Sequence, residues 1–191
     1  MNTLSKLPGL IAVLGLAAGL PPHLSARQSG AAVAPVADFA IRSGVPASDS
    51  ELTPAVRAIV ARGDALTGDR RYAAAEQEYR HASEIVRRQG HLPSFTLWHL
   101  ACALYYEGNP QGAAAVLDQL TAEAQQSGDL AVEVLAMFNS AWLNGQSGNG
   151  RVAATKLESV RQLLRSPYMP VAIRDQLSAR IGEPSAVAVK R

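Results

Sequence analysis

The 191-residue chain has one cysteine, Cys102, so no intramolecular disulfide can form and stability must come from packing alone. It also lacks a charge excess. Lys and Arg number 18 against 16 Asp and Glu, a net charge of +2, and no clustered basic face marks it for nucleic acid or an anionic membrane. Histidine is scarce, at four residues. Between residues 51 and 182 no stretch alternates with the period of two that a half-buried strand requires. The longest apolar stretch, Leu7 to Leu20, falls short of the roughly 20 residues needed to cross a bilayer, and Pro21-Pro22 ends it.

What is present begins with that stretch. Lys6 precedes it, and Leu24-Ser25-Ala26 offers small or apolar residues before a cut at Arg27, so residues 1–26 read as a secretory signal. The mature chain is expected to be exported, to the periplasm or outside the cell. If the segment is not cleaved, it anchors the same domain to the outer face of a membrane. No cysteine follows to accept a lipid, and loss of Lys6 brings the net charge to +1. Residues 27–50 mix Ala, Ser, Gly and Pro without a sustained period and read as a flexible linker.

From residue 51 apolar residues recur at steps of three and four, and Ala is abundant at the positions these steps bury. Ser50 or Thr53 can cap a first helix with Pro54 in its first turn; Val56, Ile59, Val60 and Leu66 share its face, and Gly68-Asp69 breaks it. A second helix carries Tyr72, Ala75, Tyr79, Ala82 and Val86 and stops at Gly90. A second pair is expected at about 94–106 and 111–126, with Gly108-Asn109-Pro110 between and Gly128 after. A third follows at about 130–143, capped by Asp129, and 151–164, with a loose turn over 144–150. A seventh helix, about 171–181, aligns Ile173, Leu177 and Ile181, as a terminal cap would; 183–191 read as a disordered tail. The fold class is all-α, and short turns make neighbouring helices antiparallel.

Catalytic and metal signatures do not assemble. His81, His91 and His99 survive signal removal, and none sits in a recognisable motif. His99 and Cys102 lie one helical turn apart, but a zinc site needs three or four ligands, so a packed thiol beside a groove or surface imidazole is the better account. Glu76, Glu78 and Glu84 share their helix with Arg80, Arg87 and Arg88 and read as a solvated charged face. The Gly145, Gly148, Gly150 loop has neither a preceding strand nor a following Lys-Ser/Thr, which excludes a phosphate cradle. Trp98 and Trp142 are expected in the core. No metal and no cofactor is expected.

Residues 59–82 resemble the tetratricopeptide repeat, in which a helical pair of about 34 residues carries a large residue, Leu-Gly and an aromatic, then Ala, an aromatic and Ala. Ile59, Gly63, Ala75, Tyr79 and Ala82 fill such slots, while Arg62 and Leu66 depart from them. Trp98, Ala101, Cys102 and Tyr105 resemble the first half of a second unit; Ala114 fits its second half, where Asp118 and Thr121 replace the aromatic and Ala. Leu135, Phe138 and Trp142 suggest a degenerate third. The step from Ala75 to Ala114 exceeds the usual period, and an unrelated bundle of six or seven helices is the alternative.

The resemblance implies a short right-handed superhelix of about three antiparallel hairpins over 51–182 with a C-terminal capping helix. Its concave groove would be lined by Arg57 and Asp64, by Thr96, His99, Ala103 and Tyr106, and by Glu133, Ala136, Ser140 and Asn144. The implied function is a non-catalytic protein-protein interaction module, an adaptor or assembly factor holding another protein's peptide or helix in that groove. A self-associating structural protein is the second reading, and an enzyme or small-ligand carrier the third.

Overall fold

A computed structural model describes residues 51–182, and the expected signal segment, linker and tail lie outside them. All the regular structure among the described residues is helical: α1 (Pro54–Gly68), α2 (Tyr72–Arg88), α3 (Ser94–Tyr106), α4 (Pro110–Ser127), α5 (Leu130–Gln146), α6 (Gly150–Leu164) and α7 (Val171–Gly182). Among these residues no helix is long and apolar enough to cross a membrane.

Local signals set three of the starts. The Thr53 hydroxyl accepts from the Val56 amide at 3.5 Å, the Asn109 side chain from Gly112 at 2.8 Å, and Asp129 from Val132 at 3.0 Å. Each satisfies an amide that the first turn leaves without an intrahelical partner. The expected loose turn over 144–150 needs correction. Helix α5 continues to Gln146 and α6 starts at Gly150, leaving only Ser147, Gly148 and Asn149 between them. The glycine that suggested a break, Gly145, lies within α5, where a Cβ would make only an ordinary contact, 3.8 Å from that of Ala153.

The first five helices end alike. A residue at positive φ (Arg70, Gly90, Gly108, Gly128, Gly148) donates its amide to the carbonyl three residues back, and the next residue donates to the carbonyl five back from it. This is the Schellman ending, whose left-handed residue is normally glycine because a Cβ is strained there. It recurs at intervals of roughly 20 residues, so two helices with their turns span more than the usual tetratricopeptide period. Arg70 is the exception, at φ 60°. Arg70→Gly is therefore expected to raise stability by about 1 kcal/mol in urea denaturation, and unchanged stability would mean that the turn relaxes around the arginine.

Each helix packs on its neighbour in sequence, α6 and α7 more sparingly than the others. Tyr79, Leu97, Leu117, Leu135 and Leu177 are enclosed along a continuous core. Where α1 meets α2, Gly63 lies directly against the Tyr79 ring. Polar contacts also join alternate helices. Arg87 of α2 holds Glu123 of α4 through both Nε and Nη2, and Lys156 of α6 pairs with Asp118 of α4. Asp64 of α1 pairs with His99 of α3 at 3.1 Å, and the Tyr105 ring of α3 lies 5.9 Å from Trp142 of α5.

The start of α3 has no local cap. Pro93 precedes it and offers no side-chain acceptor. Glu51, far upstream, takes that role: Oε1 accepts from the amides of Phe95 (2.9 Å) and Thr96 (3.1 Å), and Oε2 from the Ser94 hydroxyl (2.9 Å).

Candidate functional site

Helix α3 is buried over most of its circumference, which suits its nearly uniform apolar sequence, and reaches solvent along one edge. Phe95, His99 and Tyr105 on that edge are half-buried, and Tyr106 is exposed. Phe95, His99 and Tyr106 follow steps of four and seven, so they share a face. His99 is fixed from two sides: Phe95 lies 4.3 Å away between ring centroids and Tyr79 5.3 Å, while Nδ1 meets Asp64 Oδ1.

The same carboxylate oxygen accepts from the Tyr79 hydroxyl at 2.7 Å, and the Thr67 hydroxyl lies 3.2 Å from the Tyr79 oxygen. Burial pulls the Asp64 carboxyl upward, but the hydrogen bonds from His99 and Tyr79 outweigh it and hold the group below the usual carboxylate range. Asp64 is thus an anion bound to an imidazole, half open to solvent. Burial and the neighbouring carboxylate push the Tyr79 phenol above its ordinary range, so it stays a donor.

A second group of rings lies at the C-terminal end of α3. Tyr106 stacks on Tyr72 at 6.0 Å and 23°, Tyr105 meets Tyr106 edge-on at 5.8 Å, and Tyr105 leads to Trp142. Met137, Phe138 and Trp142 of α5 are half-buried. A row of partly exposed rings beside an acid–imidazole pair is suited to recognition: aromatic side chains bring large area at low entropic cost and are enriched where proteins bind one another.

Cys102 lies one turn beyond His99 with its sulfur enclosed, and burial pushes the thiol up to about 12. It is a neutral packing group, since reactivity belongs to the thiolate. Among the described residues no three His, Cys, Asp or Glu side chains gather as a metal site would require.

The ten residues expected to line a groove divide. Asp64 and His99 pair, and Tyr106 lies on the same side of α3 two turns further on, against Tyr72 and Tyr105. Arg57 is exposed, and its Nε donates to the Leu52 carbonyl at 2.6 Å. Glu133 and Asn144 are half-buried, Glu133 accepting from Gln125 at 2.8 Å and Asn144 donating to the Ser140 carbonyl at 2.8 Å. Thr96, Ala103, Ala136 and Ser140 are enclosed and line no open groove. Ser140 faces α4 instead, donating to Asp118 and, at 3.4 Å, to the Ala114 carbonyl. These four lie on sides of α3 and α5 that neighbouring helices cover. Sequence reasoning missed Phe95, which fills no slot of the repeat; a surplus aromatic of that kind was the available signal. Trp142, expected in the core, is half-buried and packs against it. Trp98 is buried as expected. No protein-family model, curated protein or solved structure matches this chain.

Proposed function

We propose that residues 51–182 form a tetratricopeptide-like, right-handed stack of three antiparallel hairpins closed by α7, and that it serves as a non-catalytic protein-interaction module in an exported compartment. The contacts between alternate helices support the stack: α1, α3 and α5 are linked on one side, and α2, α4 and α6 on the other. Gly63 against Tyr79 supports the repeat, which sets a small residue where the two helices of a unit cross. The observation that carries the function is the set of partly exposed rings on α3 and α5, with Tyr106 the most exposed, beside the Asp64–His99 pair. A peptide or helix of another protein would lie along it, anchored by apolar side chains, and the chain would act as an adaptor or assembly factor.

The test is capture by the full chain from the envelope and secreted fractions of its source cells, beside a Tyr106→Glu variant whose helical circular dichroism is unchanged. A protein recovered by the native chain and lost with the variant supports the reading. Equal recovery by both removes the aromatic row from it.

One observation favours self-association as a second reading. At the α6–α7 end Tyr168 is 86% exposed and Val171 66%, two large apolar side chains close together in sequence. Mass that rises with concentration in sedimentation equilibrium, and stops rising in Tyr168→Ser, would support it; a constant monomer mass would end it.

A further inference from the structure

A second feature opens beside Tyr106. A cleft of about 470 Å³ lies between the α1–α2 turn and the end of α3, lined by Arg70, Arg71, Tyr72, Ala73, Tyr106 and Glu107. Its two arginines are held at local disadvantage. Arg70 occupies the left-handed position that is glycine in the four equivalent turns. Arg71 stands at the N-cap of α2, where no side chain caps the first amides and no acid lies in the first turn. A cation at the positive end of a helix is unfavourable, although the end of α1 beside it favours one. Among the described residues neither guanidinium has an ion-pair or side-chain partner, and Glu107 is the one acid on the wall. The remaining wall is the stacked Tyr72–Tyr106 pair, with Tyr106 38% exposed.

We propose that this cleft receives a carboxylate of the partner segment, so the ligand of the aromatic row is an acidic peptide with an aromatic or apolar residue beside the acid. This rests on the protein-binding reading above. The carboxylate would meet the forked guanidinium donors of Arg70 and Arg71 near the uncapped end of α2, and its neighbour would lie on the tyrosine stack. Charge selects the acid, since the two guanidinium groups outweigh Glu107 while the adjoining ends of α1 and α2 carry opposite partial charges. Continuity selects a peptide, since Tyr106 belongs both to the cleft and to the row that runs through Tyr105 to Trp142. A chain crossing those rings from α5 to α3 therefore arrives at the arginines.

The test measures fluorescence anisotropy of the full chain with a short labelled peptide of alternating Glu and Phe, beside its Gln-for-Glu counterpart. The acidic peptide is expected to bind about tenfold more tightly, with the preference shrinking as salt is raised. Arg70→Gly and Arg71→Gln should each bring the two peptides close to parity. Arg70→Gly should do so while raising the melting temperature, so its loss of binding cannot come from unfolding.

Equal affinity for the two peptides in the native chain overturns the proposal, as does a preference that survives in both variants. So does binding of neither peptide, or displacement by inorganic phosphate at the peptide's own concentration, which would mark a site for small anions. If both peptides bind equally and Tyr106→Glu abolishes both, the protein-binding reading stands and the carboxylate site alone is removed.

Discussion

Glu51→Ala is expected to lower stability by roughly 3 kcal/mol in urea denaturation, while Glu51→Gln should cost less than about 1. The carboxylate is fully enclosed and supplies acceptors for two first-turn amides of α3 and for the Ser94 hydroxyl. Alanine strands these donors, and each buried donor left without a partner costs about 1–3 kcal/mol. Glutamine keeps an oxygen for the two amides and turns its NH2 toward the Ser94 oxygen, which can accept. It also removes the cost of enclosing a charge. A loss under about 1 kcal/mol for the alanine variant would show that water reaches the start of α3.

The same carboxyl gives a slope with pH. Burial raises its pKa above the ordinary 4.5 and outweighs the hydrogen bonds from Thr96, Ser94 and Phe95, which act downward. The folded chain therefore keeps a proton that the unfolded chain has released. The stability this contributes is full below about pH 4.5 and is lost as pH rises through the folded value. Asp64 slopes the opposite way: its lowered pKa contributes stability above the ordinary 3.8 that is lost as pH falls through the folded value. Denaturation midpoints across mildly acid pH should fall more gently with rising pH in Glu51→Gln than in the native chain.

Gly63→Ala is expected to cost roughly 2 kcal/mol, although alanine favours a helix over glycine by about 1. A Cβ at Gly63 would fall 2.5 Å from Tyr79 Cε1 and 2.8 Å from Cζ. The ring cannot swing aside readily, because it is buried and its hydroxyl is tied to Asp64 and Thr67. Gly68→Ala is the control, since a Cβ there meets nothing within 4 Å. Much of the loss at Gly63 should disappear in a Tyr79→Leu background. If Gly63→Ala is as mild as Gly68→Ala, α1 and α2 do not cross where Gly63 and Tyr79 meet.

These residues show what the sequence made legible. Gly63 and Tyr79 sit in slots of a spaced pattern, and the structure brings them into contact. Thr53 and Asp129 cap as their positions announce, and α3 spans Ser94–Tyr106 as read. Glu51 escaped notice because capping rules look within one turn, whereas it reaches a helix 43 residues away; the signal was the missing acceptor at Pro93. The α5 end was misjudged because a single glycine costs a helix only about 1 kcal/mol, and Gly145 is carried within α5 as far as Gln146. The α3 face was half legible: Asp64 and His99 pair and Tyr106 lies on the same side, but spacing along one helix does not reveal which of its sides a neighbour covers. Asp118 shows the same limit. Where the repeat expects an aromatic, this acid instead joins Ser140 of α5 and Lys156 of α6.

Because each helix packs chiefly on the one before and the one after it, the chain closes few long loops as it folds. Such low contact order places refolding on the microsecond-to-millisecond scale, provided every proline bond is already trans. Opening need not be all-or-none either. The sparing contact of α7 with α6 makes its amides the first expected to exchange with solvent deuterium, through fraying that leaves the α3 face intact. The middle of the chain, where the aromatic row lies between neighbours on both sides, should exchange last.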